Sequence, residues 1–155
     1  MIVYVDMSAK VEHWNTDSVV AISNGMTKSY LISAKIKQVT RRFLQDQYGD
    51  KHLTYRVMAL FVYIAMRGNL RGVNQVLIDR DYTGDQIEGT IKNFLLPLLR
   101  QEKPDVDAGF ILFRNVKGSR ADLLARAVLQ RQAEPTRLIT WIEIETIMNQ
   151  QIHKK

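Results

Sequence analysis

Hydrophobic positions along this chain change rhythm several times. The opening stretch "IVYVDMSA" sets four apolar residues in a row before Asp6, which predicts a short buried strand over Met1 to Asp6. "KVEHWNTD" follows as a polar turn. "SVVAISN" (Ser18 to Asn24) and "TKSYLISA" (Thr27 to Ala34) are β-rich runs flanking Asn24-Gly25, the strongest short-range hairpin signal. From Ala34 the period becomes helical. Ile36, Val39, Phe43 and Leu44 fall on one face, while Lys35, Lys37, Arg41 and Arg42 occupy the rest, and the helix is expected to end near "YGD". A second helix from about Leu53 to Met66 is apolar nearly all round and is therefore expected to be the most buried.

After the break "RGNLRG", Val73 to Asp79 returns to strand character and, like the first strand, finishes an apolar run on an aspartate. "DRDYTGD" reads as a loop. The next helix carries Ile87, Ile91, Phe94, Leu95, Leu98 and Leu99 along one stripe, with Pro97 expected to kink or end it. "QEKPDVDA" links to a strand in "GFILFRNV", and Ser119 opens a helix reaching about Gln132. The tail "RLITWIEIETIMNQQ" fits either alternation or a helix. A helix from Thr140 is preferred, because Thr140 and Glu143 can form a capping box. A hairpin followed by alternating helices and strands predicts an α/β fold: a mixed sheet whose later strands are parallel, with right-handed crossovers.

Composition narrows the class. At 155 residues the chain is most simply one domain, with an ordinary 46% hydrophobic and 25% charged content. The longest apolar run, Val57 to Met66, falls well short of the roughly 18 residues that span a bilayer, so no membrane partner is expected. The start has no basic segment ahead of its apolar run and does not look like a signal peptide. With no cysteine, disulfides and thiolate metal sites are excluded, which fits a cytoplasmic protein. A net charge of +6 biases the chain toward polyanions, nucleic acid first; the plain alternative is a generally basic protein. Lysine-bearing phosphate loops, Gly-x-Gly-x-x-Gly and the Gly-x-Ser-x-Gly nucleophile turn are absent.

The candidate chemistry starts from Asp6 and Asp79, each at the end of an apolar strand. Ligands bind at the carboxyl ends of strands in open α/β sheets. Neighbouring strands would hold the two carboxylates about 4.8 Å apart, where they repel unless a cation or proton sits between them. Oxygen donors without Cys or His suit Mg²⁺ or Mn²⁺. The plain reading is that each aspartate only begins a turn. Asp122 in "GSRADLLARAV" has an equally plain role, in the first turn of a helix that Ser119 caps.

That last phrase resembles the final helix of ribonuclease H, where a loop leads into an Asp–x–Leu–Ala–Arg–Ala start; Asp122, Leu124, Ala125, Arg126 and Ala127 match in register. The order of elements is similar too, and "YVDMS" with "RADLLA" resembles an RNase H-like family whose first strand carries Asp-Glu-Ser and whose late helix carries Ala-Asp-Leu-Leu. The resemblance covers about Met1 to Gln132. It implies one RNase H-like domain over 1–155, with an inserted basic helix near 34–48 and a helical extension near 138–152. It further implies a divalent-metal-dependent nuclease in which Asp6, Asp79 and Asp122 are catalytic and hold Mg²⁺ or Mn²⁺, with Asp81 replacing Asp79 if the strand runs two residues further. Two positions depart from the family: acids expected there fall near Met58 and at Met7, leaving Glu12 or Glu88 as substitutes. The alternative is a catalytically degenerate RNase H-like module that binds nucleic acid or protein. For a nucleic-acid partner, the basic residues of the first helix (Lys35, Lys37, Arg41, Arg42) and those around Asp122 (Arg114, Lys117, Arg120, Arg126) are the candidate contacts. His13 and Trp14 could stack on a base, or Trp14 could cap the edge of the core.

Overall fold

The computed structural model describes residues 1–80 and 85–153. Six strands, β1 (Ile2–Ser8), β2 (Ser18–Ser23), β3 (Thr27–Ile32), β4 (Gln75–Asp79), β5 (Ile111–Arg114) and β6 (Arg137–Leu138), form one mixed sheet. Among the described residues five α-helices accompany them: α1 (Ala34–Tyr48), α2 (Leu53–Met66), α3 (Asp85–Leu99), α4 (Arg120–Leu129) and α5 (Trp141–His153). The sheet order is β5-β4-β1-β2-β3-β6. β1, β2 and β3 pair antiparallel, whereas β4 runs parallel to β1 and β5 parallel to β4. This is the expected α/β fold: strand and hairpin first, then parallel strands reached through helices.

The hairpin turns where Asn24-Gly25 predicted. Gly25 takes φ +97°, a left-handed conformation open to glycine at little cost, and Met26 N–H donates to the Asn24 side chain at 3.3 Å. α1 starts at Ser33, whose hydroxyl accepts from Ile36 N–H at 3.2 Å. α2 is buried along nearly its whole length, as its all-round apolar pattern requires. Pro97 sits in the last turn of α3, close to where that helix ends. In the tail, Thr140 does cap α5 by accepting from Glu143 N–H at 3.4 Å. The Glu143 carboxylate, however, accepts two 2.8 Å bonds from Arg137 rather than closing the box. β6 was not expected. Its two residues pair parallel with Tyr30 and Leu31 of β3.

Alternation on β1 sorts the layers. Val3, Val5 and Met7 enter a large core shared with α1, α2, α3 and α5. The opposite face of the hairpin packs against α4 in a smaller cluster of Val19, Ala21, Ala121, Ala125 and Val128. Three alanines there let α4 lie close to the sheet. No helix among the described residues is long and apolar enough to cross a membrane.

One expectation for α1 fails. Lys37 is fully buried, with no exposed surface, so it cannot lie along a phosphate backbone. Its ammonium donates to the carbonyls of His13 (2.8 Å), Thr16 (2.9 Å) and Lys10 (3.4 Å) and to the Ser18 hydroxyl (2.9 Å). The turn between β1 and β2 aims these carbonyls inward and needs a donor; Lys37 supplies it. Lys35, Arg41 and Arg42 do face solvent.

Candidate active site

Asp6 lies on the α4 face of β1, opposite Ala21 in the register, and is 5% exposed. Asp122 occupies the first turn of α4 directly over that face and is 7% exposed. The two carboxyl groups are hydrogen-bonded to each other, which requires one proton between them. Small neighbours explain the approach: Ala121 and Ala125 flank Asp122 on the helix and are themselves fully buried.

Asp122 also has the helix-start role anticipated for it. Its N–H donates to Ser119 Oγ at 3.2 Å, and its Oδ2 accepts from Gly118 N–H and from Arg126 Nη2, each at 2.8 Å. Burial pulls its pKa up. The bonds from Gly118, Arg126 and Asp6 outweigh that and hold it below the ordinary 3.8. A carboxyl depressed on folding contributes stability in full above its unfolded pKa and loses it as pH falls through the lower folded value. Asp122→Asn should accordingly remove part of the acid limb below about pH 3.8 in denaturation followed by circular dichroism.

Asp79 ends β4 one step beyond the last β1–β4 pair, Val5 with Ile78. On parallel strands this sets Asp79 beside Asp6, on the same face and about one strand spacing (~4.8 Å) away. Asp79 Oδ1 accepts from Val116 N–H at 3.0 Å. Asp79 and Asp122 thus fasten the two ends of the loop at 115–118, each through one oxygen. Asp81 lies outside the described residues.

The basic residues divide between the two faces of the sheet. Arg114, Lys117, Arg120 and Arg126 are exposed on the β5–α4 side around Asp122, and Arg114 stands opposite Asp79 in the register. Arg126 is committed to Asp122, a pairing that the Asp–Arg spacing of four on a helix could have signalled. Lys35, Arg41 and Arg42 belong to α1, on the other face of the sheet, so the eight basic candidates do not form one surface. Glu88 pairs with Arg80 at 3.5 Å. Glu12 lines a cleft of about 690 Å³ with Trp14, Arg41 and His52 on the α1–α2 side, away from Asp6. Trp14 packs against the main core under the Arg41 guanidinium, 4.7 Å from the ring centroid. Met7 and Met58 are buried in that core.

Among the described residues no three His, Cys, Asp or Glu side chains form a ready group for a metal ion. The site is a contacting carboxyl pair with a third carboxylate on the adjoining strand. Arg126 offsets one negative charge of the pair, so a hard dication could replace the shared proton, and the all-oxygen donor set suits Mg²⁺ or Mn²⁺. The chain matches no protein-family model, no curated protein and no solved structure.

Proposed function

We propose that this chain is an RNase H-like, divalent-metal-dependent nuclease that hydrolyses phosphodiester bonds of RNA or DNA in the cytoplasm. The observation that carries the reading is the contact between buried Asp6 and Asp122, far apart in sequence, beside the strand-end Asp79. The sheet order supports it as well: the first strand lies between the hairpin and two parallel strands, so its carboxyl end adjoins that of β4.

Asp6 and Asp122 would hold Mg²⁺ or Mn²⁺, with Asp79 adding a ligand. Such an ion, when bound, polarises the phosphate and makes water nucleophilic. The remaining work falls to the chain. Asp79 and Asp122 fix the loop at 115–118, and Arg114, Lys117 and Arg120 offer cations along its rim for the phosphate backbone. Replacing those three by alanine should lower the slope of log affinity against log salt by roughly 0.7–0.9 per side chain removed, read from fluorescence anisotropy with labelled oligonucleotides.

The test of function is turnover on RNA/DNA hybrid, single-stranded and structured DNA with Mg²⁺ or Mn²⁺. No turnover across that panel removes the enzyme reading. A second reading, a binding module without catalysis, is favoured by one observation: the Gly118 and Val116 N–H groups and Arg126 already engage the carboxylates structurally. Salt-sensitive nucleic-acid binding unchanged in Asp6→Asn would select it.

A further inference from the structure

The α4 face of the sheet is only partly covered. α4 packs over β1, β2 and β3. Beside it, the register sets Tyr4, Leu77 and Leu112 in one row across β1, β4 and β5. Their strand neighbours Val5, Ile78 and Phe113 point the other way, into the main core. Ile2 adjoins the row on β1. Ile2 is 44% and Tyr4 37% exposed, while Leu77 and Leu112 are half-buried. Among the described residues no Phe, Tyr or Trp is more exposed than Tyr4. Single apolar residues on a surface are ordinary, whereas a contiguous row on an open sheet face marks a contact.

The next row along the same face holds the carboxylates. Asp6, Asp79 and Arg114 stand two residues further along their strands, about 7 Å from the apolar row. That step is close to the advance of an extended nucleic-acid strand per nucleotide. At the outer side of β5, Leu112 shares a shallow cleft of about 280 Å³ with Arg80, Lys92, Arg114 and Glu88. Three cations against one acid favour a polyanion there. A second copy of this chain, with its own net charge of +6, brings no excess of acids to meet them. An aromatic and apolar platform bordered by cations suits bases on one side and phosphates on the other. A ring face reaches a base only where that base is unpaired, so a duplex does not fit.

We propose that Tyr4, with Leu77 and Leu112, is a stacking platform for unpaired bases. The partner is then a single-stranded nucleic acid whose phosphates run past Arg114 toward Asp6 and Asp79. Cleavage of that strand rests on the nuclease reading; its binding does not.

The probes are a labelled oligothymidylate, an abasic oligonucleotide of the same length and a duplex of that length. Each is titrated into the full chain by fluorescence anisotropy, with divalent metal chelated so that cleavage does not intervene. Oligothymidylate should bind at least about tenfold more tightly than either of the others. Tyr4→Leu should weaken oligothymidylate about tenfold and leave the abasic strand unchanged, whereas Tyr4→Trp should keep the wild-type affinity. The slope of log affinity against log salt should not move in either variant, since no cation is removed. If Tyr4→Leu does not fold, the abasic comparison on the wild type carries the test. The proposal is overturned if the abasic strand or the duplex binds as tightly as oligothymidylate, or if Tyr4→Leu leaves that affinity unchanged. A dimer in sedimentation that Tyr4→Leu dissociates overturns it as well. Tyr4-dependent binding without turnover in Mg²⁺ or Mn²⁺ upholds the platform and removes only the nuclease reading.

Discussion

Asp6→Asn is expected to cut divalent-metal-dependent cleavage by at least about a thousandfold while leaving the metal-free protein more stable than wild type. The two effects share one cause. In the wild type, Asp6 meets Asp122 across a contact that needs a proton. An asparagine amide donates to the Asp122 carboxylate without one and removes the cost of keeping a carboxyl protonated at neutral pH, a gain of about 1 kcal/mol, or roughly 2–4 °C in Tm. The same amide is a poor ligand for a hard cation, so the rise in Tm on adding Mn²⁺ should vanish along with turnover. Differential scanning calorimetry with and without Mn²⁺, beside a cleavage assay, reads all three. A variant that loses stability and still cleaves would show that the carboxyl pair is only a brace.

Lys37→Met should be the most damaging single change to the fold. The substitution keeps the unbranched stem but leaves the Thr16 carbonyl without its donor. It also takes one donor each from the carbonyls of Lys10 and His13 and from the Ser18 hydroxyl, which keep bonds within the turn or to Ala9. One buried acceptor left unpaired costs about 1–3 kcal/mol, and the lost charge-assisted bonds add to it, so a net loss of about 3 kcal/mol is expected in urea denaturation. The pH dependence is distinctive. Burial pushes the Lys37 ammonium down from 10.5 to about 8, against the pull of Asp17 and Glu12. Between these values the unfolded chain binds the proton and the folded chain does not, so stability from this group rises with pH across about 8 to 10.5. The difference in unfolding free energy, wild type minus Lys37→Met, should therefore climb through that window. A flat difference would mean that the ammonium keeps its proton throughout.

These two residues also mark what could and could not be read from the chain beforehand. Elements with a strong period were legible: α1 occupies Ala34–Tyr48 and α2 Leu53–Met66, as their apolar spacing predicts. β6 was not, because two residues are too few to show alternation and its pairing depends on β3 lying alongside. Asp79 was legible as a strand-end residue and Asp122 as a helix-start residue; Asp6 was expected to end its strand, but β1 runs on to Ser8 and pairs Asp6 with Ala21. That Asp6 and Asp122 touch could not follow from spacing, since it depends on α4 crossing over β1 on a surface of alanines. Lys37 misled for the opposite reason. Its position fits a solvated basic face, and only the inward carbonyls of a distant turn draw it into the interior.

β6 also bears on how copies of this chain meet. A hairpin's outer strand ordinarily presents open backbone groups that can template pairing with another molecule. Here the backbone and hydroxyl of Thr136 bond to Ser29, and Ile139 N–H donates to Leu31 at 3.0 Å, so the tail closes that margin from within. A margin sealed by two residues offers a stranger almost nothing to extend, and the tail thereby acts as a built-in guard against fibril-like stacking.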